Sequence, residues 1–123
     1  MPVKVIDASA LASVLFDEPE SDAVIAAIGR SSLVAPQLIE FEVASVCLKK
    51  IRAHPRQRRM FLAGFKLFDR LDIDMARVDL AEVIVLADEA RLTTYDACYL
   101  WLARTLKCEL LTLDKRLAAA SKQ

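Results

Sequence analysis

Short apolar runs alternate with longer stretches of helical periodicity along the whole of this chain, the pattern of a parallel sheet covered on both faces by helices. Val3-Lys4-Val5-Ile6 reads as the first strand and Leu33-Val34-Ala35 as the second. Leu71-Asp72-Ile73-Asp74, with its alternating polarity, reads as an edge strand, and Glu109 to Leu113 as the last strand. Between them the spacing predicts helices from Ala8 to Phe16, from Pro19 to Ile28 with Gly29 as the stop, from Pro36 to about Ala53 and from Pro55 to about Arg70. Further helices are expected from Asp79 to Arg91, from Thr94 to Lys107 and from Asp114 to Ala120. The expected fold class is therefore α/β with a central, mostly parallel sheet.

At 123 residues the chain reads as one domain, 1–123, able to bury roughly two-thirds of the surface that its unfolded form exposes. Hydrophobic residues make up 55% and Gly and Pro only two and four positions, which excludes disordered and fibrous classes. Lys+Arg and Asp+Glu are 17 each, so no whole-molecule field attracts nucleic acid or an anionic membrane, and any charge argument must be local. Cys47, Cys98 and Cys108 are odd in number, with no CxxC and no zinc-type His spacing, which suits a reducing cytoplasm. Asp7 interrupts what would be the apolar region of a signal peptide, and no run approaches the roughly 20 apolar residues of a membrane span.

Four carboxylates carry the chemical argument. Asp7 directly follows the first strand and Asp114 the last, so both should project from the carboxyl edge of the sheet, where open α/β folds place their sites. Asp96 lies in the first turn of the helix that feeds the last strand, and Glu42 lies within the third helix on a face made by Leu38, Ile39 and Val46. Each has a plainer reading: Asp7 and Asp114 as helix N-caps, Asp96 in a capping box with Thr93, Glu42 in a buried ion pair. Together they pose a stronger demand. Several carboxylates held near one another repel and resist ionisation unless a cation neutralises them, and such hard oxygen ligands suit Mg²⁺ or Mn²⁺. A metal so held activates water and stabilises charge in phosphodiester cleavage. Ser9 and Thr112 are candidates to hydrogen-bond the carboxylates from behind, or to act as local caps. Glu40, two residues from Glu42, is expected to be solvated, and His54 has no partner set for nucleophilic catalysis.

From Lys49 to Arg59 the chain reads KKIRAHPRQRR, and no acidic residue occurs from Val43 through Phe68. Lys49, Lys50, Arg52, Arg56, Arg58 and Arg59 are candidates to bind an RNA backbone, or are the solvated faces of two helices. Tyr95, Tyr99 and Trp101 read as packing residues rather than base-stacking platforms. Met60, Phe61, Leu62, Phe65 and Phe68 suit either a core or an interface.

VIDASAL with the following DEPES, then APQLIEFEVASV, LTTYDACYLWLA and LLTLDKRL, resemble in order and spacing the motifs of the PIN domain, and within it the VapC-like ribonuclease toxins of toxin–antitoxin pairs. The resemblance implies a three-layer α/β/α sandwich and makes Asp7, Glu42, Asp96 and Asp114 an acidic quartet binding Mg²⁺ or Mn²⁺, with Ser9 and Thr112 as supporting hydroxyls. It also implies a homodimer, cleavage of RNA to 3′-hydroxyl and 5′-phosphate ends, and a small antitoxin protein that covers the cleft and links the toxin to DNA only indirectly. Ser45 stands where Asn is frequent nearby, and the chain stops at Gln123, where many relatives continue into another short strand.

The rivals are a catalytically silent PIN-like module that binds a partner, a response-regulator receiver domain and an acidic-pair phosphatase. The last two expect paired acids after the first strand, where this chain has Ala8 and Ser9.

Overall fold

The computed structural model describes residues 2–123. Four strands, β1 (Val3–Ile6), β2 (Ser32–Pro36), β3 (Ile73–Ala76) and β4 (Glu109–Leu111), form one sheet in the order β3-β2-β1-β4. Every neighbouring pair is parallel, with Val5 opposite both Val34 and Leu110. The helices are α1 (Ala8–Leu15), α2 (Ser21–Ile28), α3 (Leu38–Ala53), α4 (Arg58–Lys66), α5 (Leu80–Ala90), α6 (Thr94–Leu106) and α7 (Lys115–Ser121). The sheet is flanked by helices on both sides. α1 packs on α2 and α3, and α3 on α4; α5 packs on α6, which covers β1 and β2 and touches α7. Burial on two faces explains why Val5 and Ile6 are adjacent and both fully buried, against the alternation of a one-sided strand.

The strand order carries the functional consequence. From β1 the chain steps outward to β2 and β3, then crosses back through α5 and α6 to place β4 on the other side of β1. β1 and β4 therefore flank the point where the winding reverses, and a crevice opens there at the carboxyl ends of the strands.

Several element boundaries differ from those expected, among them β4, which ends at Leu111 rather than Leu113. The edge strand lies at Ile73–Ala76 rather than 71–74, because the Leu71 amide closes a 3₁₀ turn onto Phe68 and pairing begins with Ile73 opposite Leu33. Pro36 ends β2 opposite Ala76 instead of opening α3, which starts at Leu38. The helix expected from Pro55 to Arg70 is α4 between two 3₁₀ turns, Pro55–Gln57 and Leu67–Arg70. α2 likewise begins at Ser21 and not at Pro19.

α4 lies tightly on the end of α1. A Cβ on Gly64 would stand 2.6 Å from the Leu15 carbonyl oxygen, and Phe61 meets Phe16 edge-on with ring centroids 6.2 Å apart. Phe61 and Phe68 are buried while Met60 and Leu62 are exposed, which divides that apolar segment between core and surface. No helix among the described residues is long and apolar enough to cross a membrane.

Candidate active site

Asp7 leaves β1 as the N-cap of α1, its backbone amide donating to the Leu111 carbonyl of β4 at 3.0 Å. Its side chain is only 5% exposed, so an ionised form there needs nearby donors. Oδ1 accepts from the Ala10 amide at 3.0 Å and from the Ser9 hydroxyl at 2.7 Å, and Oδ2 accepts from the Thr112 hydroxyl at 2.5 Å. Both hydroxyls also accept from the turn after β4: Ser9 from the Leu113 amide at 2.9 Å, Thr112 from the Asp114 amide at 3.0 Å. The turn that presents Asp114 is thus fastened to Asp7 through two side chains.

Asp114 caps α7 by accepting from the Leu117 amide at 2.9 Å. Thr93 caps α6 by accepting from the Asp96 amide at 3.1 Å, which leaves the Asp96 carboxylate in the first turn. The N-cap readings of Asp7 and Asp114 hold, and of the capping box expected for Asp96 the structure shows the Thr93 half; a helix starting at a strand's carboxyl edge presents its capping carboxylate to the crevice. Glu42, half-buried on α3, accepts from the Tyr99 hydroxyl at 2.6 Å across the crevice. Glu40 is exposed, as expected.

The acids feel one another. Asp7 is held above the ordinary carboxylate range by burial first, against its three donors, with a contribution from the charge of Asp96. Glu42 is raised by burial, a shift opposed by Tyr99 and reinforced by Asp96 and Asp7. Asp96 is raised by burial and by Asp114, and the Thr93 hydroxyl and then Arg116 pull it part of the way back. The four carboxylates are therefore linked electrostatically, and three resist ionisation, chiefly because they are buried and further because their neighbours are acidic.

No trio of His, Cys, Asp or Glu among the described residues is drawn together tightly enough to hold a metal ion unaided. This donor set nevertheless fits Mg²⁺ or Mn²⁺. A hard cation that keeps several of its waters needs only one or two carboxylates, and its charge would offset the burial and the smaller mutual repulsion that raise Asp7, Glu42 and Asp96.

Tyr99 is the site residue that the sequence reading missed. It is among the most buried side chains, as a packing residue should be, yet its hydroxyl ends on Glu42. The available signal was its place three residues after Asp96, on the same face of α6. Trp101 donates to Glu82 at 2.9 Å and ties α6 to α5.

The basic stretch is not beside the acids. It begins at Lys49, about 10 Å along α3 from Glu42, and runs farther away. Lys50 is occupied in the fold: its Nζ lies 3.0 Å from Glu18 and over the rings of Phe16 and Phe61. Lys49, Arg52, Arg56, Arg58 and Arg59 are exposed.

The model of the PIN domain matches residues 4–123. The chain belongs to the PIN domain family. The PIN domain is typically a nuclease fold, and PIN domains commonly use divalent metal ions. Among solved structures, PAE2754 from Pyrobaculum aerophilum is similar over 98% of this chain and 87% of its own, with a TM-score of 0.78 and 24% sequence identity. At that identity the likeness shows the PIN fold alone. No curated protein matches the sequence significantly.

Proposed function

We propose that this PIN domain is a metal-dependent endoribonuclease acting as the toxin of a toxin–antitoxin pair. The observation that carries the nuclease part of the reading is that Asp7, Glu42, Asp96 and Asp114 lie near enough to influence one another's ionisation beside the switch point of the sheet.

Asp7, Asp96 and Asp114 would hold Mg²⁺ or Mn²⁺, with Glu42 completing the set. When bound, the cation supplies an activated water and offsets charge on the phosphodiester. The residues of the chain do the rest. Ser9 and Thr112 fix the Asp7 carboxylate and, through their acceptor sides, the turn that carries Asp114. Tyr99 fixes the orientation of Glu42, leaving its second oxygen to position a water near the scissile phosphate. Arg116, close enough to influence Asp96, would meet substrate phosphate.

The reading extends to a homodimer and to a small antitoxin partner, through which any contact with DNA would be indirect. A groove between α3 and α4, lined by Ala44, Leu48, Ile51, Leu62 and Phe65 with Arg58 on it, supports a protein partner, since it is the kind of surface that a partner's helix covers. The exposed basic residues from Lys49 to Arg59 would meet RNA only well away from the cut.

Cleavage of a mixed cellular RNA pool by the purified protein tests the reading. Cutting is expected with Mg²⁺ or Mn²⁺, and none with chelator or in the Asp7→Asn variant. A folded wild-type chain, free of co-purified inhibitor, that cuts no RNA in either metal would instead support a silent binding module.

A further inference from the structure

A cleft of about 320 Å³ adjoins the acidic cluster and has no part in the chemistry assigned above. It opens where the carboxyl ends of β2 and β3 meet the first turns of α3, α5 and α6, and its walls include Gln37, Leu38, Arg77, Leu80, Tyr95 and Cys98. Its volume is at the lower end of small-ligand sites, which suits one planar group rather than a length of polymer.

The lining has the character of a receptor for a base. Tyr95 is 64% exposed on a helix whose neighbouring positions 97–100 are buried, so its ring is a free platform and not core. Leu38, Leu80 and Cys98 supply apolar surface, and the Gln37 amide, exposed at the mouth, carries both a donor and an acceptor for a base edge. Arg77 adds a cation on the cleft's wall, where a phosphate flanking the base would need one. The cleft and the acids share their supports: Tyr95 precedes Asp96, Leu38 lies one turn before Glu42, and the Cys98 thiol is close enough to feel the charge of Glu42. A group seated here belongs to the same molecule whose phosphodiester lies over the carboxylates.

We infer that this cleft is a subsite for a single unpaired nucleobase next to the scissile phosphate, with Tyr95 as the stacking platform and Arg77 on the flanking phosphate. The inference rests on the endoribonuclease reading. A base within a duplex cannot enter, so the subsite selects single-stranded RNA.

Steady-state cleavage of a single-stranded oligoribonucleotide tests it, using the wild type, Tyr95→Ala, Tyr95→Phe and Arg77→Ala, on the intact oligonucleotide and on versions made abasic at each position in turn. Tyr95→Ala should raise KM about tenfold with kcat retained, the loss that follows removal of one stacking platform. Tyr95→Phe, which keeps the ring, should behave as wild type. At one position adjoining the cut, removing the base should penalise the wild type by the same factor and Tyr95→Ala hardly at all. Arg77→Ala should flatten the salt dependence of KM by about one phosphate contact. Unchanged KM in Tyr95→Ala would overturn the subsite and leave the nuclease reading standing, whereas absence of cleavage by the wild type would remove both. Sedimentation of the same variants supplies a further check: loss of a dimer in Tyr95→Ala without a change in KM would assign the cleft to self-contact and overturn the inference.

Discussion

The Tyr99 hydroxyl, on α6, donates to Glu42, on α3, at 2.6 Å, joining the two helical layers above the carboxyl edge of the sheet. Glu42 raises the Tyr99 phenol far above its usual range after burial has already done so, and the same bond lowers the Glu42 carboxyl against its own burial. The bond thus favours a neutral phenol, and it opposes without overcoming the rise that burial imposes on the Glu42 carboxyl.

Tyr99→Phe removes that bond and almost no volume. The variant should lose about 1.5 kcal/mol of stability, the worth of a hydrogen bond to a charged acceptor, as read from denaturant unfolding. Glu42, freed of the donor that lowers it, should titrate at higher pH, so the acidic limb of any pH–rate profile should move toward neutrality.

Thr112→Val tests the link between Asp7 and Asp114. It removes the donor to Asp7 and the acceptor of the Asp114 amide together, with an expected cost of about 1 to 3 kcal/mol in stability. Metal affinity, followed by calorimetric titration with Mn²⁺, should fall about 10- to 100-fold, as for other residues that orient a ligand from behind.

The pH dependence of stability follows from the raised carboxyls. A carboxyl raised on folding keeps its proton in the native state after the unfolded chain has lost it, so its contribution is complete below the unfolded value, about 4, and disappears as pH rises through the native one. With chelator present, Asp7, Glu42 and Asp96 should therefore lower Tm on going from pH 5 to pH 8. Mg²⁺ or Mn²⁺ should narrow that difference, and Asp7→Asn should reduce it in chelator. A Tm that rises over the same interval in chelator, with other ionisations held equal by the Asp7→Asn comparison, would contradict the assignment.

Gly64→Ala should destabilise by about 1 to 3 kcal/mol, because the added methyl meets backbone at Leu15 that cannot swing aside. Chemical denaturation checks the loss, and metal affinity should be unaffected, since α4 contributes nothing to the acidic cluster.

The parallel sheet was legible because its signal is local. Val3 to Ile6 and Leu33 to Ala35 are short apolar runs separated by helical periodicity, and the position of Asp7 after one strand and Asp114 after another already implied a shared edge. What sequence could not resolve depends on contacts between distant residues. Leu71 is as apolar as Ile73, but a 3₁₀ bond to Phe68 and the register with Leu33 decide which begins the strand. The Tyr99–Glu42 bond spans 57 residues, and the one local signal, the place of Tyr99 three residues after Asp96, does not name its partner. The basic stretch misled for a related reason: its composition is visible in the sequence, but its distance from the acids is set by the direction in which α3 runs.

The hydroxyls of Ser9 and Thr112, which join the start of the chain to its last strand, also set an order of events. Thr112 follows Asp7 by 105 residues, so Asp7 leaves the ribosome well before the strand that brings Thr112 and Asp114 to it. Contacts of such long sequence separation form only after the intervening chain is in place. The acidic cluster is consequently assembled only once that strand has paired with β1, and a nascent chain short of it holds Asp7 without the hydroxyl of Thr112 that fixes it.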